Sequence, residues 1–509
     1  MPFAFLALSI SILLLFLTAI IHRLYLHPLS HIPGPRLAAL TYYYQAYYDI
    51  YPHRGQFLFH TAALHARYGP IIRIGPNEIH INDIAFYPDV YPTGPQRRRD
   101  KSAEWFWFAG LDEFTGRSAF ATLEHGLHRV RRGAFAGFFS RGKVLELQPR
   151  IRAKVEVLRE SLLRREGTGE VVDLRDACGA LTLEVITEYC FGAPISVLDS
   201  DDYAKVYNEM LRSSTQIHPI GRAFPMVTRA LLRLAESFME GNEGFDVNKQ
   251  KQKEVDRLTK AAYDDARRTD KPDEEKWTTA IHEIVADEAL PPEEKTLKRI
   301  MNDAYVFVGA GMETTGRTLA VTLYHILANP EIHKRLMEEL RGVIPSSSAP
   351  MPDVSALEKL PFLTAVLTEG IRMSHGTAGR LARVAPGEDL NYHGINIPRG
   401  TTMSQSSYLI HTNPVIFPAP LEFHPERFMG DGAAEAHKSL VAFGRGTRMC
   451  VGMNLAWAEL YLTIAMLLTS VEMELWETTE RDATVAMEFF LGTLPSDSNG
   501  IRVKIVGRL

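Results

Sequence analysis

One cysteine near the C-terminus constrains this chain more than any other residue. Cys450 lies in the run Phe443-Gly444-Arg445-Gly446-Thr447-Arg448-Met449-Cys450-Val451-Gly452. A long apolar helical pattern, Met453 to Ser470, follows directly. Gly446 and Gly452 permit tight turns that bring backbone N–H groups toward the sulfur. The helix starting near Met453 aims its positive end back at the same atom, and Arg448 adds positive charge nearby. A free thiol titrates above neutrality, and these features favour its anion. A loop of this kind presents a single thiolate to a metal from one side. The competing reading is a buried structural cysteine, the usual state of a free Cys.

The chain has 509 residues, 46% of them hydrophobic, enough for a large core. No Gly/Ser-rich or Pro-rich linker divides it after the first few dozen residues, so one large domain over 41–509 is expected. The net charge of −5 argues against a nucleic-acid partner. Local basic runs at Arg97 to Arg99 and Arg129 to Arg132 read as solvated faces. Three cysteines make neither a disulfide framework nor a zinc pattern. Cys178 and Cys190 sit in apolar helical text and read as core, so the catalytic part should face a reducing compartment.

The N-terminus reads as an anchor. Phe3 to Ile21 carries no charge and is long enough to span a bilayer. His22 and Arg23 follow it, which places the C-terminal bulk in the cytosol by the positive-inside rule. A cleaved signal peptide would carry a basic residue before a shorter apolar core. Residues 1–22 are therefore expected to be a membrane anchor. Pro28, Pro33, Gly34 and Pro35 make 23–40 a stiff hinge. Phe224 to Val227 is a candidate second contact with the bilayer.

Alternation on either side of Gly75-Pro76-Asn77-Glu78 predicts a hairpin over Ile71 to Ile81. Three- and four-residue apolar spacing predicts helices over Val144–Leu163, Lys298–Ala328, Pro330–Val343, Leu357–Met373 and Met453–Ser470. Leu390 to Pro398 is strand-like. The highly charged stretch Lys249 to Glu275 reads as an exposed helix or loop.

Three further segments carry chemistry. Ala310-Gly311-Met312-Glu313-Thr314-Thr315 puts an acid and two threonines into an apolar helix weakened by glycine. Such groups are costly unless used or satisfied, and threonine can satisfy itself on the carbonyl four residues back. Glu369 and Arg372 share a helix face at i, i+3, a pairing common on any surface helix. His128 and Arg132 share a face at i, i+4.

In their order and spacing, the 310–315 segment, Glu369-Gly370-Ile371-Arg372, Phe423-His424-Pro425-Glu426-Arg427-Phe428 and the 443–452 loop resemble the signatures of the cytochrome P-450 haem-thiolate monooxygenases. The text after Arg372 is similar to membrane-bound fungal enzymes that tailor secondary metabolites, many of them terpenoids. The resemblance covers nearly the whole chain. It implies a mainly α fold with small β-sheets, the cytochrome P-450 fold, preceded by one transmembrane helix. It implies haem b with Cys450 as the axial thiolate, a ligand that favours O–O cleavage, in a loop shaped by Phe443, Gly446 and Gly452. Thr314 and Glu313 inherit proton delivery, and Glu369, Arg372 and Arg427 a buried structural network beneath the haem loop. The family's Trp-x-x-x-Arg here has His128 in place of the tryptophan, followed by Arg132. With Arg383 and Arg448 these residues are the candidates for the haem carboxylates. Arg129 and Arg131 are left solvent-exposed, facing an acidic reductase.

The regions that line the family's substrate pocket fall on Trp105–Phe108, Met210–Met226, Ala304–Gly311, Gly376–Arg380 and Phe489–Leu494, which implies a lipophilic substrate. The implied partners are NADPH–cytochrome P-450 reductase, cytochrome b5, O2 and the endoplasmic reticulum membrane, with the catalytic domain cytosolic. No flavin or dinucleotide fingerprint appears in the chain, so electrons must come from outside. A haem-thiolate isomerase or dehydratase that needs no reductase, and a non-catalytic haem- or lipid-binding protein, are the rival readings.

Overall fold

The computed structural model describes residues 2–94, 96–107, 115–203, 205–238, 243–268, 278–347 and 349–509. The chain begins with α1 (Pro2–Ile21), an apolar helix exposed along almost its whole length. One helix among the described residues is long and apolar enough to cross a membrane, and it is this one. The proline-rich segment that follows packs onto the body of the protein. Leu29 and Ile32 are buried, and the Arg73 N–H donates to the Pro33 carbonyl at 2.7 Å.

The predicted hairpin is present as β1 (Ile71–Gly75) and β2 (Glu78–Ile81), pairing Ile71 with Ile81. Both faces are buried, Ile71, Ile79 and Ile81 in one cluster with Leu29 and Ile32, and Ile72 and Ile74 in another with Phe57 and Leu64; β2 continues into a five-stranded sheet. The remaining strands of that sheet are β3 (Asp100–Lys101), β4 (Arg383–Val384) and β5 (Thr402–Ser404), in the order β1-β2-β5-β4-β3. A small antiparallel pair, β6 (Met487–Phe489) and β7 (Leu491–Thr493), lies near the C-terminus. The strand-like text after Leu390 forms its own two-stranded hairpin, Leu390–Tyr392 with Ile395–Ile397.

A three-stranded sheet pairs Val171–Asp173 and Val471–Leu475 with Arg502–Arg508, and helices make up most of the rest. Those that position the site are α2 (Tyr43–Asp49), α3 (His125–Ala136), α4 (Arg141–Leu163), α5 (Leu174–Phe191), α6 (His218–Ala223), α7 (Glu243–Ala266), α8 (Leu297–Ala328), α9 (Pro361–Ser374) and α10 (Met453–Ser470). The Glu124 carboxylate accepts from the Gly126 and Leu127 N–H groups and starts α3. Asp173 caps α5 in the same way, and Gly192 in the left-handed region at φ 84° ends it.

α10 is apolar nearly all round and runs through the core, with Leu460, Leu462, Ile464, Leu467 and Leu468 at most 1% exposed. Each such side chain contributes roughly 1.5–3 kcal/mol on burial. α5 packs closely along α8. A Cβ on Gly311 would stand 2.7 Å from the Ile186 side chain, so this glycine serves helix–helix approach. α8 runs unbroken from Leu297 to Ala328, and the weakening expected from Gly309 and Gly311 interrupts nothing. Cys178 and Cys190 are fully buried in α5, as read from the sequence.

Three surface expectations are corrected. Arg99 is 2% exposed and pairs with Glu388 at 2.6 Å, so it leaves the solvated face that Arg98 keeps. Arg131 is also not free for a reductase: its guanidinium forks onto Glu294 at 2.7 and 2.8 Å, and a third bond goes to the Thr122 hydroxyl. Arg129 is exposed as expected. The charged 249–275 stretch forms most of α7, whose inner face buries Val255, Leu258, Thr259 and Ala262, while residues 269–275 lie outside the described residues.

Candidate active site

The cysteine loop is built from the backbone outward. The Cys450 N–H donates to the Phe443 carbonyl at 2.8 Å, which closes the loop on itself. Gly446 sits at φ 77°, and a Cβ there would lie 2.4 Å from the Pro92 carbonyl oxygen. Only glycine satisfies both conditions. α10 begins at Met453 with Gly452 as its first half-turn residue, so the positive end of the helix lies beside the thiol.

Cys450 is exposed by surface area yet enclosed by protein on the scale that sets its charge. Burial pushes its thiol up, and the Gly452 N–H and the Arg132 guanidinium pull it back. Those two groups are the local sources of thiolate stability. Phe443 is half-buried and packs against the main core.

Facing the loop is a concentration of positive charge. His128 is 5% exposed, and burial together with Arg448, Lys101, Arg132 and Arg383 drives its pKa down to about 2. His128 is therefore a neutral imidazole. Arg448 donates to the Thr122 and Leu123 carbonyls at 2.7 Å, and Arg383 to the Leu381 and Ala382 carbonyls at 3.2 and 3.1 Å. Arg132 donates to the Met449 carbonyl, and Lys101 to that of Phe120. No carboxylate side chain bonds any of these four cations among the described residues. Burial and the neighbouring Arg383 lower Arg448 to about 9, and Lys101 falls well below its usual value for the same reasons. The Arg448 Nε and the His128 Nδ1 are buried without partners.

Lys101 and Arg383 are buried and Arg132 and Arg448 half-buried; with Asp100 and Glu124 acting on Arg448 only at a distance, the cluster favours an added anion. A haem, whose two propionates are anionic, would supply such charge, with these cations to hold its carboxylates and Cys450 to ligate its iron. The residues present fit the group. Lys101 escaped the sequence reading, since a lone lysine in extended text carries no local signal. It reaches the cluster through the pairing of β3 with β4, Lys101 opposite Arg383.

The acid–alcohol pair is divided. The Thr314 hydroxyl donates back to the Ala310 carbonyl at 2.8 Å, the self-satisfied arrangement. Glu313 accepts from Arg175 on α5 at 2.8 Å, with only 11% of its side chain exposed. Arg175 was not anticipated, because its partner lies 138 residues away in sequence.

The structure brings the third group together. Glu369 and Arg372 are both fully buried, with Arg372 Nε on Glu369 Oε2 at 2.7 Å and Nη2 on Oε1 at 2.8 Å. Arg427 Nε adds a third bond to Oε1 at 3.0 Å, and the His424 N–H a fourth at 2.8 Å. Arg372 also donates to the His411 carbonyl, while His411 Nε2 accepts from the Val441 N–H at 3.0 Å. His411, missed in the sequence, thus links this network to the start of the cysteine loop.

Of the expected pocket regions, Trp105, Phe106 and Phe489 are buried aromatics. Phe108 lies outside the described residues. Arg380 does not line an apolar pocket: it is buried and paired with Glu78 at 2.7 Å.

Comparison with known proteins agrees with this geometry. The sequence model described as cytochrome P450 matches residues 33–497. The chain is similar to the cytochrome P450 monooxygenase ucsK of Acremonium sp, 45% identical over 507 residues that cover 96% of this chain and 95% of the other. It is 35% identical to the N-acetyltryptophan 6-hydroxylase ivoC of Emericella nidulans, covering 96% and 94%. It is 34% identical to the tryptophan 6-hydroxylase fscE of Fusarium equiseti, covering 95% and 94%.

Proposed function

The chain belongs to the cytochrome P450 monooxygenases of fungal secondary metabolism, and on that premise we propose that it inserts one atom of O2 into a lipophilic secondary-metabolite intermediate, using NADPH electrons delivered by a separate cytochrome P-450 reductase with cytochrome b5 as a second donor. The observation that carries this reading is the pairing of one thiol, held in a glycine-bent loop at a helix start, with a cluster of cations that no carboxylate side chain bonds among the described residues. The family implies haem iron on a cysteine thiolate, and the bound haem supplies the activation of dioxygen.

The protein's own residues do the rest. Cys450 would ligate the haem iron, with the Gly452 N–H and Arg132 opposing the rise that burial imposes on its thiol. His128, Arg132, Arg383, Arg448 and Lys101 would hold the haem by its carboxylates. Thr314 offers a hydroxyl on the opposite helix. To pass a proton from that hydroxyl toward the reacting oxygen it must exchange its bond to Ala310 for one to water. Glu313 refills it after loosening from Arg175. The Glu369–Arg372–Arg427 network holds the loop rigid from behind.

Residues 1–22 anchor the chain in the endoplasmic reticulum membrane, 23–40 connect it, and 41–509 form the cytosolic catalytic domain. Two relatives are named as hydroxylases of tryptophan or its N-acetyl derivative, which widens the substrate class from terpenoids to nitrogen-bearing aromatics.

The test is the absorption spectrum of the reduced, CO-bound protein. A strongly red-shifted Soret band supports thiolate ligation by Cys450. An ordinary band, or folded protein with no haem, overturns the reading. Product formed without NADPH and reductase would instead favour the isomerase or dehydratase.

A further inference from the structure

A cavity of about 310 Å3 lies between α2, the turn at 103–107 and α6. Its charge is one-sided. Asp49, Glu78 and Glu104 line it against a single guanidinium, Arg222. Behind the wall, Glu488 and Arg380 act on the same groups, so four carboxylates face two guanidiniums.

The pairing leaves the excess uncompensated. Arg380 is committed to Glu78 at 2.7 Å and to the Gln45 carbonyl at 2.6 Å. Arg222 also donates to Gln45. Asp49 has only the Gln45 amide at 2.8 Å and the Phe57 N–H at 3.1 Å. Glu488 accepts from the Phe490 N–H at 2.5 Å. Glu104, on the exposed side, has the Ser102 and Thr402 hydroxyls at 3.4 and 3.3 Å. Asp49, Glu104 and Glu488 form no ion pair among the described residues. Burial accordingly raises Asp49, and lifts Glu488 to about 7.

A second observation points to a ligand. Trp105 lines the cavity, is 2% exposed, and its indole N–H has no acceptor. Its ring packs on Phe106 and Phe490 at 4.8 and 5.5 Å. Phe106 and Phe120 in turn hold the Lys101 ammonium at 4.0 and 3.7 Å from their centroids. The floor of the cavity is thus one aromatic layer from the cations that face Cys450.

We propose that this cavity recognises a protonated amine on an apolar, ring-bearing substrate, with Asp49 and Glu104 facing the ammonium and the Trp105 N–H meeting an acceptor on the same molecule. The inference rests on the function proposed above and narrows its substrate class to basic nitrogen compounds. An anion would meet the excess carboxylates. A neutral hydrocarbon would leave Asp49 and Glu488 without a countercharge and the indole donor without an acceptor. An ammonium supplies the missing positive charge.

The test uses the full-length, haem-loaded protein in detergent micelles and three probes with one ring system: tryptamine, N-acetyltryptamine and indole-3-propionate. Calorimetric titration at pH 8 should give tryptamine an affinity roughly ten-fold above the neutral and anionic probes. The advantage should shrink at pH 6, where Glu488, lifted to about 7, takes up a proton, while Arg222, Arg380 and neutral His218 keep their states. Glu104→Gln, at the exposed edge, should weaken tryptamine about three- to ten-fold and leave N-acetyltryptamine unchanged. Asp49→Asn is the second, buried variant. Equal affinity for all three probes overturns the proposal. So does tryptamine binding undiminished in both variants, as when the amine sits on the iron and shifts the Soret band. A thiolate-shifted CO band without amine preference overturns this inference alone, whereas an unshifted CO band strikes the functional reading first.

Discussion

Glu369→Gln tests the support beneath the cysteine loop. The carboxylate takes four hydrogen bonds: three on Oε1, from Arg372 Nη2, Arg427 Nε and the His424 N–H, and one on Oε2, from Arg372 Nε. A glutamine can keep its oxygen at the Oε1 position. Its amide nitrogen then faces Arg372 Nε, donor against donor, across the 2.7 Å the carboxylate now spans. The flipped amide is worse, since it turns three donors on one N–H group. In either orientation the fully buried Arg372 and the nine-tenths buried Arg427 lose the one carboxylate that pairs with them among the described residues. Removing one partner of a buried pair costs about 3–5 kcal/mol, against a total stability of roughly 5–15 kcal/mol. The variant should therefore accumulate with little haem, and its urea midpoint should fall by about a fifth or more of the wild-type value. Glu426→Gln is the control. It breaks the Arg335 pair in the same segment, but both side chains are about half exposed, so the expected loss is about 0–1 kcal/mol. A Glu369→Gln protein with full haem and an unshifted midpoint would refute the reasoning.

Thr314→Ala should retain haem and substrate binding but release NADPH electrons as hydrogen peroxide; unchanged product per NADPH would remove the proton-relay role from this hydroxyl. Gly446→Ala must place a Cβ 2.4 Å from the Pro92 carbonyl oxygen at a positive φ, and should lose haem, read as the ratio of Soret to protein absorbance. His411 is held neutral, accepting from Val441, and burial together with Arg372 lowers its pKa to about 3. Unfolded histidine takes a proton below about 6.5 and the folded one does not, so stability is present above that pH and is lost as pH falls through 6.5 toward 3. The contribution to the slope is up to about 1.4 kcal/mol per pH unit. His411→Gln should flatten the acid limb of a stability–pH curve by one proton, and an unchanged limb would show that the imidazole titrates normally.

What could be read from the sequence divides along contact range. The cysteine loop, the α10 boundary and the Glu369–Arg372 pair are local: a turn, a helix start and an i, i+3 spacing are all written within ten residues. Arg427 became legible through the order of motifs, and the structure puts it on the expected carboxylate. Lys101, Arg175 and His411 were invisible because each acquires its role across the fold: from a strand partner at Arg383, from an acid on a facing helix, and from the N–H of Val441. Arg131 was misread for the same reason, since nothing near it in sequence announces Glu294. The glycines of the 309–311 segment show a subtler limit. Composition says that glycine weakens a helix, but Gly311 is where Ile186 of α5 presses in, and the contact with the neighbour outweighs the propensity. The division also explains why the haem side of the site was easier to read than the substrate side. Holding a porphyrin needs a thiolate and cations, which a short motif can supply. Choosing a substrate depends on a balance of charges gathered from α2, the 103–107 turn, α6 and the 488–490 hairpin, and only the folded chain brings those to one cavity.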